Sequence, residues 1–271
     1  MSSPASGAFA GRTVLALIPH PDDEAYSMAG LLALAARQGA RVVVLSATRG
    51  EGGYDHVLPD RSPAEVGAAR TAELAASCLA MGAELPRFLG WADGAVAAVD
   101  RGEALAALIE VVHAVDPEVL ISLGADGAYG YADHLALWDL TGRAFDAAER
   151  DGASAPSRWL SAEFPSDLFV SQWHRMTQGR HADRVAADPP ELGKVVAEVA
   201  LRLRLEAPSL SAVREMKRAA IASHRSQLPD ATPESLFPAG VVDRLMREEW
   251  YRVVRGPALP PGATDPFAGL D

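Results

Sequence analysis

The sequence predicts an α/β protein. Residues 1–157 read as a Rossmann-like, mostly parallel sheet with helices on both faces, and residues 158–271 as a C-terminal α+β extension packed on the same domain. Three observations predict it. The runs Thr13-Val-Leu-Ala-Leu-Ile18 and Arg41-Val-Val-Val-Leu-Ser46 lack the polar alternation of a half-exposed strand, so each suits a parallel strand buried on both faces. Helix-patterned segments separate these and two further strand candidates, as crossover connections require. The chemically loaded segments all follow strand ends, where open α/β sheets form their sites.

Taken in order, the first strand leads to a helix over Ala25 to Gln38, stopped by Gly39 as a C-cap residue. The second strand is followed by the glycine-rich loop Arg49-Gly-Glu-Gly-Gly-Tyr54. Ser62 and Pro63 open a helix to about Met81, with Glu65 placed for a capping box. Arg87–Trp91 is a short third strand, Glu103–Val115 a helix, Glu118–Leu123 a fourth strand and His134 to about Arg150 another helix. Beyond a loop at 151–157, residues 158–173 are expected to add strands and 174–193 to form an irregular polar flap. Residues 209–226 have a helical pattern, Trp250–Val254 reads as a closing strand, and the tail from Gly256, with four prolines, as extended or loose.

The bulk numbers exclude several function classes. A net charge of -11 argues against nucleic acid as a partner, because that affinity rests on Lys and Arg neutralising phosphates. The single cysteine, Cys78, permits no internal disulfide and reads as a small buried hydrophobe on a helix. No apolar run reaches the roughly 18 residues of a membrane span, and the first residues lack the basic and apolar regions of a signal peptide. The expectation is a cytoplasmic protein acting on a small molecule, with no membrane or nucleic-acid partner; a homo-oligomer is left open.

The strongest chemical signal is Pro19-His-Pro-Asp-Asp-Glu24 after the first strand. Three consecutive acids at the carboxyl end of a sheet repel one another unless a cation sits there. His20 and Asp23 offer an imidazole and a carboxylate, and the flanking prolines stiffen the backbone that presents them. A catalytic metal usually takes three protein ligands. The best source of the third is the segment after the fourth strand, Gly124-Ala-Asp-Gly-Ala-Tyr-Gly-Tyr-Ala-Asp-His134, although Asp133 also suits a helix cap.

These two segments together resemble the PIG-L/LmbE-like family of zinc N-deacetylases, which carries a His-Pro-Asp-Asp-Glu motif and a later Gly-x-x-Gly-His-x-Asp-His motif. Thr48–Glu51, Arg70–Glu73, Leu89–Asp93 and Lys217 through Gln227 are similar to further family segments, in the expected order. The resemblance implies Zn2+, or another divalent ion accepted by the same donors, held by His20, Asp23 and His134. It implies Asp22 as general base, a metal-activated water as nucleophile, and removal of an acetyl or other acyl group from an N-acetylglucosamine-like sugar or glycoconjugate. Glu51, Arg70, Asp93 and Asp126 are the candidate substrate contacts. The family pattern's first histidine is Tyr131 here. A phenol with a pKa of about 10 donates a hydrogen bond but is a poor proton shuttle at neutral pH. Tyr129 and Tyr131 are therefore candidate oxyanion donors, unless Asp22 carries the whole proton inventory.

Plainer readings compete. Arg70 suits a surface ion pair with Glu73 or Glu65. Lys217 and His224, seven residues apart, suit one helical face, with a buried hydrogen-bonded histidine as an alternative to a substrate contact. His113 suits a helix end; His56, His174 and His181 carry no pattern; Trp91 is placed to border a sugar site. At the level of function, an amidase of a larger thiol-sugar conjugate and a catalytically impaired binding protein remain alternatives. A dinucleotide-binding protein is rejected, because no Gly-x-Gly-x-x-Gly follows the first strand.

Overall fold

The computed structural model describes residues 7–151, 155–165, 168–179, 182–185, 199–230 and 232–270. The first half follows the expected alternation: β1 (Thr13–Ile18), α1 (Asp23–Ser27), α2 (Ala29–Arg37), β2 (Arg41–Thr48), α3 (Pro63–Met81), β3 (Arg87–Trp91), α4 (Arg101–Val115), β4 (Val119–Leu123), the single turn α5 (Gly127–Gly130) and α6 (Ala132–Asp151). The capping box at Ser62 and Glu65 is formed, and Gly82 closes α3 in the left-handed region at φ 77°. The second half contributes β5 (Arg158–Glu163), α7 (Val170–Thr177), β6 (Leu201–Arg204), α8 (Ser211–Ser223), α9 (Val241–Arg247) and β7 (Glu248–Arg255).

The seven strands form one sheet in the order β3-β2-β1-β4-β5-β7-β6. β3 to β5 pair in parallel, and β7 joins β5 and β6 antiparallel. Strand alternation divides the core. Val14, Ala16 and Ile18 face one apolar cluster with α2, α3 and α8, while Leu15 and Leu17 face the other with α4 and α6. Burial on both faces is what the continuous apolar runs required. Chain direction across the sheet reverses between β1 and β4, a switch point at which loops splay apart and leave a crevice. Cys78 is fully buried, as expected, and burial pushes its thiol pKa up.

The expected helix over 25–38 breaks in two at Met28, whose backbone (φ -145°, ψ 2°) leaves the helical region. The break frees the first N–H groups of α2, which would otherwise lie buried and unpaired. The carboxylate of Glu249, from β7, accepts the Gly30 and Leu31 N–H groups at 2.8 Å each. It also accepts Lys217 Nζ at 2.6 Å and the Tyr251 hydroxyl at 2.7 Å, while Lys217 donates to the Tyr26 carbonyl at 3.0 Å. Burial lowers the Lys217 pKa and Glu249 opposes that shift. Removing one partner of such a cluster leaves an uncompensated buried charge. Glu249→Ala should therefore cost about 3–5 kcal/mol of stability, read as a lowered urea midpoint; an unchanged midpoint would contradict the clamp.

Three further expectations need correction. Beyond β5 the described residues up to 173 are not strand: β5 stops at Glu163, ahead of Pro165, which cannot donate to a ladder, and Val170–Thr177 is helical. The stretch 174–193 finishes α7 and contains a 3-10 turn at Ala182–Arg184, followed by an isolated bridge from Val185 to Tyr131; residues 180–181 and 186–193 of that expected flap, His181 included, lie outside the described residues. The tail is not loose, and it runs through turns at 261–262 and 266–269 rather than extended. Buried Arg158 donates to the carbonyls of Pro257 and Pro266 at 2.8 Å each, and Phe267 packs on Phe9.

Candidate active site

β1 delivers His20 to the crevice, and Asp22 follows in a left-handed conformation (φ 113°) that residues other than Gly, Asn and Asp rarely adopt. This twist sends the Asp22 and Asp23 side chains in different directions. Asp23 opens α1, and its Oδ2 lies 3.4 Å from His20 Nδ1 and 3.5 Å from His134 Nε2. His134 comes from the first turn of α6, with its ring fixed by a hydrogen bond from Nδ1 to the Gly127 carbonyl at 3.1 Å. The other nitrogen of His20, Nε2, donates to Asp133 Oδ2 at 3.1 Å.

These donors fit one metal ion. Ligand atoms about 2.0–2.1 Å from a tetrahedral centre stand roughly 3.3–3.4 Å apart, close to the separations from Asp23 to the two histidines. In both rings the nitrogen that does not face Asp23 is hydrogen-bonded to an outer acceptor, the Asp133 carboxylate or the Gly127 carbonyl, an arrangement like the one that fixes tautomer and orientation in histidine metal sites. The charges agree. Burial disfavours an imidazolium at His20, yet Asp133, Asp23 and Asp93 together hold its pKa well above the ordinary value, so the carboxylates call for a cation here. Burial lowers the His134 pKa, favouring the neutral ring that binds metal. Burial opposes ionisation of Asp23, but His134 and His20 hold its carboxyl below the usual range.

Asp22 is different. Burial, with Asp23 and Glu24 beside it, pushes its carboxyl up to about 6 against the pull of Arg70. Arg70 is not in a surface ion pair with Glu73 or Glu65: it is buried, and its guanidinium donates to Asp22 Oδ2 at 3.2 Å, to the Gly50 carbonyl at 2.9 Å and to the Pro21 carbonyl. Glu73 instead accepts the backbone and hydroxyl of Ser226. The glycine-rich loop exists to let Arg70 through, since a Cβ on Gly50 would stand 2.3 Å from Arg70 Nη1 and one on Gly53 2.7 Å. Behind Asp22, Glu24 accepts the Asp22 N–H at 3.0 Å, His224 Nε2 at 2.7 Å and the Ser77 hydroxyl. His224 is thus the buried, hydrogen-bonded histidine of the plainer reading.

A cavity of about 260 Å³ opens over these groups; its lining includes the polar His20, Asp22, Asp23, Arg70, Asp93, Tyr129, Tyr131 and Arg184 together with Tyr26, Phe164, Phe169, Gln172 and Phe237. His134 lies beneath it, almost fully buried. Of the four expected substrate contacts, Arg70 and Asp93 reach this cavity and two do not. Glu51 accepts the Asp93 N–H at 2.9 Å and borders a separate cleft with Trp91. Asp126 accepts the Ala128 N–H at 2.9 Å and braces the turn that carries Tyr129. Three residues at the site are not among the expected site residues. Asp133 does not cap α6; it accepts the Gly94 and Val96 N–H groups at 2.7 and 3.1 Å while holding His20. Arg184 reaches Tyr131 and Asp93, and His56 lines the rim, its ring 4.8 Å from that of Tyr54.

Residues 15–145 match the family model described as PIG-L, GlcNAc-PI de-N-acetylase. Over 311 aligned residues the chain is 31% identical to 1D-myo-inositol 2-acetamido-2-deoxy-α-D-glucopyranoside deacetylase 2 of Frankia casuarinae, covering 99% of this chain and 97% of that one. The chain belongs to the PIG-L family. A second PIG-L relative, the enzyme of the same description from Acidothermus cellulolyticus, is 30% identical with 96% of each chain covered. Among solved structures, N,N'-diacetylchitobiose deacetylase from Pyrococcus horikoshii shares the fold with a TM-score of 0.60 at 17% identity, over 89% of this chain and 83% of that one. The 4-carboxy-2-hydroxymuconate hydratase GalB from Pseudomonas putida does so with 0.65 at 20% identity, over 93% and 100%. A hydratase on the same frame shows that fold alone does not fix the reaction. Family membership makes this PIG-L protein a de-N-acetylase, a hydrolase of carbon–nitrogen bonds, and its donor set is compatible with a divalent metal. Among the described residues no helix is long and apolar enough to cross a membrane.

Proposed function

We propose that this protein is a zinc-dependent deacetylase of an N-acetylglucosamine unit in a small glycoconjugate, with 1D-myo-inositol 2-acetamido-2-deoxy-α-D-glucopyranoside as the first substrate to try. The observation that carries the reading is the convergence of His20 and Asp23 from the cavity wall and His134 from beneath it, with a separate carboxylate, Asp22, beside them. An ion held there would polarise the acyl carbonyl and bring the pKa of a water to about 7.

The chain's own residues do the rest. Asp22, beside the ligand cluster but outside it and steadied by Arg70, takes the proton of the attacking water as the carbon–oxygen bond forms. It returns that proton to the nitrogen as the carbon–nitrogen bond breaks, giving acetate and the free amine. A carboxyl raised to about 6 suits both transfers near neutral pH. Asp133 positions His20, and Glu51 positions the loop carrying Asp93, whose carboxylate faces the cavity to accept a sugar hydroxyl. Tyr129 and Tyr131, both kept protonated by burial, supply neutral donors.

The test is to load the protein with zinc, measure metal by elemental analysis, and follow free amine and acetate from that glucosaminide and from simpler N-acetyl amino sugars. Stoichiometric metal with no amine released from any of them would overturn the reading. The apolar part of the cavity lining, Phe164, Phe169 and Phe237, favours one second reading, a larger thiol-sugar amide; amine release from such a conjugate alone would establish it.

A further inference from the structure

We propose that Arg184 is a positioning residue for Tyr131, and that the pair supplies the oxyanion donor at the place where the family pattern has a histidine. The inference rests on the cavity being an amide-hydrolysing site.

Arg184 Nη1 donates to the Tyr131 hydroxyl oxygen at 3.1 Å. A phenol has one proton to give. With a lone pair committed to a guanidinium, that proton is directed away from Arg184, into the cavity that both residues line. The Tyr131 ring stands 5.3 Å from that of His20 and 5.1 Å from that of His134, so the hydroxyl belongs to the neighbourhood of the ligand cluster. A charged donor on the phenol oxygen also polarises its O–H bond and strengthens it as a donor. Burial holds the phenol protonated. The proton stays on Tyr131 throughout, and the proton that reaches the leaving nitrogen comes from Asp22.

The guanidinium is seated, not draped. Asp93 Oδ1 receives a second hydrogen bond from the same Nη1 at 3.3 Å. The next residue, Val185, bridges antiparallel to Tyr131. Two loops leave room for the guanidinium by lacking side chains: a Cβ on Gly52 would stand 3.1 Å from both Nη atoms, and one on Gly94 3.0 Å from Cζ. The loop Arg49-Gly-Glu-Gly-Gly thus accommodates two arginines, Arg70 against Gly50 and Gly53, and Arg184 against Gly52. Nothing in the metal-binding motifs would require Gly52, whose φ lies outside the left-handed region.

The experiment is a double-mutant cycle of Arg184→Gln and Tyr131→Phe on zinc-loaded protein. It reads kcat and KM on the glucosaminyl-inositol substrate and, independently of turnover, the Kd of a tetrahedral methylphosphonamidate analogue of that sugar against the Kd of the N-acetyl sugar. Tyr131→Phe is expected to lower kcat and weaken the tetrahedral analogue about tenfold to a thousandfold. Arg184→Gln is expected to lose about tenfold to a hundredfold in the same two quantities with KM little changed, and to add less than about threefold once Tyr131 is Phe. If Tyr131→Phe weakens the analogue but Arg184→Gln does not, or if the two losses multiply, the pairing is wrong. If Tyr131→Phe itself changes neither quantity, the donor role of Tyr131 falls and the pairing with it. Absence of turnover in the parent protein overturns the proposed substrate, while analogue binding still decides the pairing.

Discussion

Asp22→Asn is expected to keep its metal and to lose about two to four powers of ten in kcat, the scale of a general acid–base group. The substitution is nearly isosteric, and Asn shares with Asp a tolerance for the left-handed backbone found at this position. Its amide oxygen can still accept from Arg70, so the surroundings of the site survive while the capacity to take and return a proton does not. Elemental analysis of the variant separates the two aspartates. If metal leaves with the substitution, Asp22 is a ligand and the roles of Asp22 and Asp23 must be exchanged.

His134→Ala is expected to strip most of the metal and abolish turnover. Only three protein donors converge among the described residues in that cluster, and two are too few to hold a catalytic ion at low concentration. The lost ring also leaves the Gly127 carbonyl without its 3.1 Å partner in a turn where Ala128 already sits at φ 64°, so a modest fall in stability should accompany the loss of metal. Full occupancy in this variant would place the ion elsewhere; the other acidic grouping, His20 with Asp93 and Asp133, would be the place to look.

What the sequence made legible follows from how local each signal is. β1 and β2 could be read because burial on both faces demands an unbroken apolar run, and α3 because its cap is written in four consecutive residues. His20, Asp22 and Asp23 were legible because three acids and an imidazole in five residues have no inexpensive structural explanation. For Arg70 the plainer alternative, a surface ion pair, fails because its partners, the carbonyls of Pro21 and Gly50, are backbone atoms 49 and 20 residues away that no side-chain pattern announces. Asp133 suits a cap in the sequence because its acceptor role depends on the loop after β3 meeting the loop after β1 at the end of the sheet, across the intervening β2, which is a property of the sheet. Arg184 carried no signal at all: its meaning lies in two glycines and a tyrosine brought to it by three different loops. The break at Met28 was invisible for the same reason, the carboxylate that makes it affordable arriving from β7.

That last feature bears on the order in which the molecule can become itself during synthesis. Every residue with a direct part in the proposed chemistry except Arg184 has been made by the time His134 is made, and N-terminal parts of a chain begin to fold first. Yet α1, which carries Asp23, runs into α2 through a break whose bare amides find their acceptor only in Glu249, and the Glu24 that receives the Asp22 N–H is itself held by His224. The nascent protein therefore carries nearly all of its reactive groups for about a hundred residues of elongation without the groups that fix them in place. Reactivity is written early and licensed late, so that a chain cut short before its last strand would hold the metal-binding motif in a frame unable to aim it.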